Sequence, residues 1–290
     1  MTRFKIAAGV GIVLATCGAC AAAQADTITQ WTFQNDAVAT NNNPAPSTGS
    51  GTAGSIGMNV YATPNIGVTK DDVLLGTTGD TGANGVADLT NTWRVRAGAG
   101  SSGAANGWSS AAPIGTQGAV FAVSTAGYTS ISVSFDWYAT TQGEANLQFE
   151  YTTDGTTWHN APLTLGGSDA GLALVTNTGT DANSVVGSYV SDNLLTNGSS
   201  AGQGWFTGLT ATITDPAAAN DPNFAFELVN ASTGTSNVST QGTALNNSSG
   251  NWRFDNVTVS GVSAVPLPAA AWLLLSGLGG LGLFGRRRSA

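Results

Sequence analysis

From residue 130 to residue 137 the chain alternates without a break. Ser130, Ser132, Ser134 and Asp136 occupy one phase, and Ile131, Val133, Phe135 and Trp137 the other. Side chains in a strand alternate with period 2, so this run predicts a strand with one buried face and one wet face. Leu147, Phe149 and Tyr151 repeat the pattern against Gln148, Glu150 and Thr152, and Phe224, Phe226 and Leu228 repeat it against Ala225 and Glu227. No long segment of the body carries the 3.6-residue period of an amphipathic helix. Several strands with one apolar face each need a second sheet to cover them. The predicted fold class is therefore all-β, a two-sheet antiparallel β-sandwich. Predicted strands cover residues 27–33, 57–62, 93–97, 119–124, 130–138, 145–152, 157–163, 206–214, 223–230 and 251–259.

Local signals refine this picture. Thr153-Asp154-Gly155-Thr156 lies between two of these strands, and Asp-Gly is the favoured centre of a type I′ hairpin turn. In the last strand Trp252 and Phe254 share one phase, while Val257 and Val259 take the opposite one. The change at Asp255-Asn256 predicts a β-bulge or a switch of buried face. Residues 41–55, 98–110, 176–184 and 233–250 are rich in Gly, Ser, Thr and Asn and read as surface loops or loosely ordered insertions. Charged residues make up 9% of the chain, against roughly 25% in an ordinary soluble domain. That composition disfavours a helical bundle and suits a β-rich extracellular protein.

The two ends read differently from the body. Arg3 and Lys5 precede an apolar stretch over residues 6–23, and Ala23-Gln24-Ala25 forms an A-x-A site. This is the pattern of a secretory signal, residues 1–25, cut by signal peptidase before Asp26. An N-terminal membrane anchor would not need small residues at those positions. A lipoprotein reading around Leu14-Ala15-Thr16-Cys17 is weakened by Thr16. Both cysteines, Cys17 and Cys20, lie inside this segment, so the mature chain has no thiol and no disulfide. The body is one predicted domain, residues 26–262, without a fixed-period repeat.

Residues 263–290 form the third predicted segment. Val265-Pro266-Leu267-Pro268 is followed by 17 uncharged residues, 269–285, and then by Arg286-Arg287-Arg288. As a helix that run spans about 26 Å, just short of a ~30 Å hydrocarbon core, and the Arg cluster would remain on the cytoplasmic side. This tail resembles a PEP-CTERM segment, the sorting signal recognised by exosortase in Gram-negative bacteria that make exopolysaccharide. The family core is Val-Pro-Glu-Pro, and Leu267 stands here in place of Glu. The resemblance covers about 25 residues. It implies transient tethering to the inner membrane, cleavage near the Pro motif and delivery to the cell surface or matrix. A plain single-span anchor is the alternative. The segments 135–158 and 252–261 look like β-sandwich domains of other surface proteins with jelly-roll, concanavalin-like topology. Terminal hydrophobic targeting helices at both ends complete the expected architecture.

Chemistry is sparse in the body. His159 is the only histidine, and with no cysteine beside it no zinc site of the usual N/S kind can form. Asp136, Glu144, Glu150 and Glu227 are the acids available for a glycosidase pair, but the alternating acid motif of concanavalin-like glycosidases is absent. Glu150 and Glu227 read more simply as solvent-facing positions. Asp80, Asn84 and Asp88 place oxygen ligands around Gly85 as a calcium loop does, and Asp255 is a second candidate Ca2+ ligand beside Asn256. Trp108 and Trp205, in or beside Gly-rich stretches, are candidates for stacking on a sugar ring. Trp137 and Trp252 read as core, and Trp31 and Trp158 as ambiguous.

The formal charge of the whole chain is −8. The body keeps all 17 acids and only Lys70, Arg94, Arg96 and Arg253, a balance of −13. Nucleic acid is excluded as a partner, because phosphate contacts need clustered Lys and Arg. Divalent cations are the charged partners such a body favours. The expected role is that of a non-enzymatic surface or matrix protein associated with exopolysaccharide or biofilm. A carbohydrate-binding module is the alternative, and a secreted glycoside hydrolase a more distant one.

Overall fold

A computed structural model describes residues 24–33, 43–58, 92–96, 107–139, 142–164, 172–174, 189–191, 206–240, 242–247 and 250–264. Over them the protein is all-β, with two main antiparallel sheets. The strands are β1 Ala25–Trp31, β2 Thr52–Ile56, β3 Trp93–Arg96, β4 Trp108–Ser109, β5 Gly118–Ala122, β6 Tyr128–Ala139, β7 Asn146–Thr152 and β8 His159–Ala161. There follow β9 Leu163–Thr164, β10 Leu172–Leu174, β11 Tyr189–Ser191, β12 Phe206–Thr212, β13 Ala225–Asn230, β14 Asn246–Asn247 and β15 Asn251–Ser263. The first sheet runs β1-β15-β6-β12-β9, with β3 also paired to β15. The second runs β10-β11-β7-β13-β5-β2, with β8 paired to β7, and β14-β4 forms a small separate ladder.

The alternating runs do what their period dictates. Ile131, Val133, Phe135 and Trp137 of β6 are buried with Phe149 of β7 and Phe226 and Leu228 of β13. Rings carry the contact between the sheets. Trp31 of β1 and Trp93 of β3 both meet Phe121 of β5 edge-on, at 5.1 and 5.7 Å, and Phe121 stacks on Phe226 at 4.9 Å. Such pairs add about 0.5–1.5 kcal/mol each beyond the area they bury.

The break at Asp255-Asn256 is a bulge. The β15–β6 register slips between Asp255 and Thr258, and Asn256 takes φ +46°, a region Asn tolerates better than most residues. Trp252 and Phe254 before the bulge and Val257 and Val259 after it are all buried. The extra residue lets one strand keep its apolar side inward across the phase change.

Three expectations need correction. The β7–β8 hairpin exists, but its turn is not type I′. Gly155 has φ +74°, whereas Asp154 is not among the residues with positive φ. Instead the Asp154 carboxylate accepts from Thr156 N at 2.8 Å and Thr157 N at 2.7 Å, closing a longer loop. Residues 157–163 are not one strand. β8 pairs in the second sheet and β9 in the first, and Pro162 between them has no amide to continue a ladder. The stretches read as loops at 41–55, 98–110 and 233–250 contain β2, β4 and β14, and the last also buries Asn237, Ser239, Thr240 and Leu245. No described helix is long and apolar enough to cross a membrane. The terminal hydrophobic segments expected to be helical, at 6–23 and 269–285, lie outside the described residues.

Candidate functional site

The body's chemistry gathers where strand register sets acids opposite one another, once on the outer face of each sheet. In the first sheet Asp136 of β6 lies directly across from Asp255 of β15. Both are buried, at 4% and 1% exposure. Asp136 Oδ1 accepts from Gly208 N at 2.6 Å, and its Oδ2 accepts from Asn256 Nδ2 at 3.0 Å. Asp255 Oδ1 accepts from Asn256 N at 2.8 Å. The bulge that turns β15 over thus also aims Asn256 at both acids. One register step along the same face, Arg253 lies opposite Tyr138 on one side and Arg94 on the other. The Arg253 guanidinium sits 5.1 Å from the Tyr138 ring centre, and its Nε donates to Asn251 Oδ1 at 3.0 Å. Burial raises the Tyr138 hydroxyl to about 12 and lowers Arg253 to about 10. Both shifts follow from desolvation of the charged form.

In the second sheet Glu150 of β7 lies directly across from Glu227 of β13. Glu227 is only 6% exposed, so it is not the solvent-facing position its alternation suggested. Gly115 lies over the Glu150 side of the pair, where a Cβ would stand 3.5 Å from Glu150 Oε2 and 3.9 Å from Gln148 Nε2. Asn230, at the end of β13, anchors that segment. Its Oδ1 accepts from Thr116 N at 3.0 Å and Gln117 N at 2.9 Å, and its Nδ2 donates to Pro113 O at 2.9 Å. A line of side chains leads to the pair, in which Asn160 Nδ2 donates to Gln148 Oε1 at 3.1 Å and Gln148 Nε2 donates to Glu150 Oε1 at 2.9 Å. Burial holds the Glu227 carboxyl far above its ordinary value, up to about 8, and its hydrogen bond to Glu150 and the charge there act in the same direction.

Glu144 is fully buried before β7. Its Oε1 accepts from Asn146 N at 2.9 Å and Asn146 Nδ2 at 2.8 Å, and its carbonyl accepts from Trp252 Nε1 at 2.7 Å. Burial pushes its carboxyl well up, against the lowering effect of these amides. Those bonds tie the β7 entrance to the aromatic core.

Trp108 does not serve as a sugar platform. It is fully buried and lies 4.7 Å from Trp252, within β4 where it pairs with Asn247 of β14. Trp31 is buried as well. Trp158 is the one indole among the described residues that keeps part of its surface exposed. Beside it, exposed His159 lies over Tyr151 at 5.5 Å. Trp205 and the calcium-loop residues Asp80, Asn84 and Asp88 lie outside the described residues, as do Ala23 and the tail residues Val265, Pro266, Leu267, Pro268, Arg286, Arg287 and Arg288. Ala25 is exposed at the start of β1. Asp255, proposed as a calcium ligand, faces the Asp136–Asn256 network, and no group of three or more acidic, His or Cys side chains gathers for a metal among the described residues.

Neither acid pair has the layout of a glycosidase, whose two carboxyls stand about 5 Å or more apart across the scissile bond. Glu150 and Glu227 face each other directly on adjacent strands with Glu150 accepting from Gln148, and both Asp136 oxygens are already engaged. What sequence reading missed is the opposition itself. Each acid was visible on its strand, but nothing local reveals which residues of two distant strands come face to face. Comparison of the chain with family models, with curated proteins and with solved structures gave no match.

Proposed function

We propose that this chain is an exported, non-enzymatic protein of the cell surface or extracellular matrix, sorted by an exosortase-type system and associated with exopolysaccharide. The observation that carries the reading is the order of signals along the chain: an A-x-A site at 23–25, a cysteine-free acidic body, then Val265-Pro266-Leu267-Pro268, an uncharged stretch and Arg286–Arg288. In this reading the two hydrophobic ends are membrane helices, the tail only transiently inserted, and the sheets form a jelly-roll, concanavalin-like sandwich. The placement of the body's ends supports it. Ala25 of β1 pairs with Val262 of β15, so the two ends of the body meet at one edge of one sheet. Cutting after Ala25 and near Pro268 would leave nearly all of the β1–β15 ladder in place. Deleting residues 265–290 is expected to abolish retention at the surface, measured by fractionation of the producing cells; unchanged localisation would sink the reading.

Sugar binding is the second reading, favoured by the half-exposed Trp158 beside exposed His159 and Asn160 at the β7–β8 edge. Flat rings next to planar amides suit a sugar ring. Trp158→Ala is expected to lower retention of the protein on a glycan array at least tenfold, and equal retention of variant and parent would exclude this edge.

A further inference from the structure

Glu150 and Glu227 are exactly opposed on the two central strands of the second sheet, with Cβ atoms within about 5.5 Å of each other for directly facing residues. Like charges in that position repel. The elements around them supply no counter-charge among the described residues. From β8 the facing residue is Asn160 and from β5 it is Val120. Gln148 flanks Glu150 on β7, and the covering segment 113–117 is Pro, Ile, Gly, Thr and Gln. His159 occupies the opposite face of β8, against Tyr151.

The hydrogen bonds also have a direction. Asn160 donates to Gln148 and Gln148 donates to Glu150, so Glu150 is the acceptor at the end of a donor chain. A carboxylate only accepts, whereas a carboxylic acid can also donate. Glu227 is the more deeply buried member, so the proton that reconciles the pair belongs on Glu227, donating to Glu150.

We propose that Glu227 holds a proton that it donates to Glu150, and that the two form an acid-closed clasp under segment 113–117, seated while Glu227 keeps that proton and released when it is lost. The inference concerns the body alone and does not depend on how the chain is sorted. The trigger is a rise in pH through neutrality, and the moving part is the segment that Asn230 anchors.

Hydrogen–deuterium exchange of the full-length chain in mild detergent, from pH 6 to pH 9, tests this. Exchange is corrected for its intrinsic pH dependence, with β6 peptides as the internal reference. Protection of Thr116 and Gln117 is expected to fall with pH, by up to about tenfold per unit for one proton, while β6 stays constant. Glu227→Gln keeps a neutral donor to Glu150 and is expected to hold protection flat across the range. Glu150→Gln removes the repulsion from the other side and is expected to do the same. Constant wild-type protection, or a fall that persists in both variants, would overturn the clasp.

Discussion

The two outer faces place acids in the same geometry and treat them in opposite ways. Asp136 and Asp255 face each other on the first sheet, and so do Glu150 and Glu227 on the second. The first pair is held by fixed donors, Gly208 N and the amides of Asn256, with Arg94 and Arg253 one step along the same face. The second pair has amides on one side and otherwise only itself. Three of the body's four bases, Arg94, Arg96 and Arg253, sit on β3 and β15 of the first sheet. In a body of net charge −13 the few cations are therefore concentrated rather than spread. A buried carboxylate given donors can stay ionised, and one deprived of them keeps its proton.

The sharpest way to break this comparison is to remove one acid from each face. Asp136→Ala strips a buried acceptor from two donors at once. Hydrogen bonds to a charged group contribute about 1.5–3 kcal/mol each, so the loss is expected to be about 3–5 kcal/mol in denaturant unfolding. Glu227→Gln, equally buried, is expected to cost less than about 1 kcal/mol at pH 6, since it preserves the neutral donor. Similar losses at both positions would mean that the two faces do not differ in the way their hydrogen bonds indicate.

How far the sequence foretold all this depends on whether a residue's environment is local. The alternation in β6, β7 and β13 fixed which side chains go inward, and the change of phase at Asp255-Asn256 marked a real bulge. Those signals are carried by neighbours two residues apart. Segment 233–250 was misread because most of its buried groups are polar, as Asn237 is, whose Nδ2 donates to Ser109 O at 2.9 Å. Nothing in its composition separates such a buried polar layer from a solvated loop. Trp108 failed for the same reason, taking its apparent exposure from surrounding glycines. The acid pairs required the register between β7 and β13 and between β6 and β15, partners 77 and 119 residues apart at Glu150–Glu227 and Asp136–Asp255. Asp154 could be placed in its turn, yet not as the acceptor that closes it.

The second face can also be made to resemble the first. Glu227 titrates near 8 in the fold and near 4.5 when unexposed to it, and Glu144 is shifted in the same direction. Between those values the native state binds more protons than the unfolded one. The stability these carboxyls contribute is therefore full below about pH 4.5 and is lost as pH rises through about 8, by up to about 1.4 kcal/mol per unit for each proton held. Asp154 works the other way, because the Thr157 and Thr156 amides hold its carboxyl below the usual range, so its contribution is lost only as pH falls through the acid range. The melting point should then peak at mildly acidic pH. Val120, half-buried and directly across β5 from Glu227, is where a cation would have to go. Val120→Lys puts an ammonium within reach of the carboxyl, and an opposite charge within about 4–6 Å lowers a carboxyl pKa by about 1–3 units. The variant is expected to melt below the parent at pH 5, where Glu227 is neutral and the new charge is unpaired. At pH 8.5 it is expected to melt higher, with a gain of about 1 kcal/mol, so that the two melting curves cross. Parallel curves would show that Glu227 does not feel its β5 neighbour, and that the missing counter-charge is not what separates the two faces.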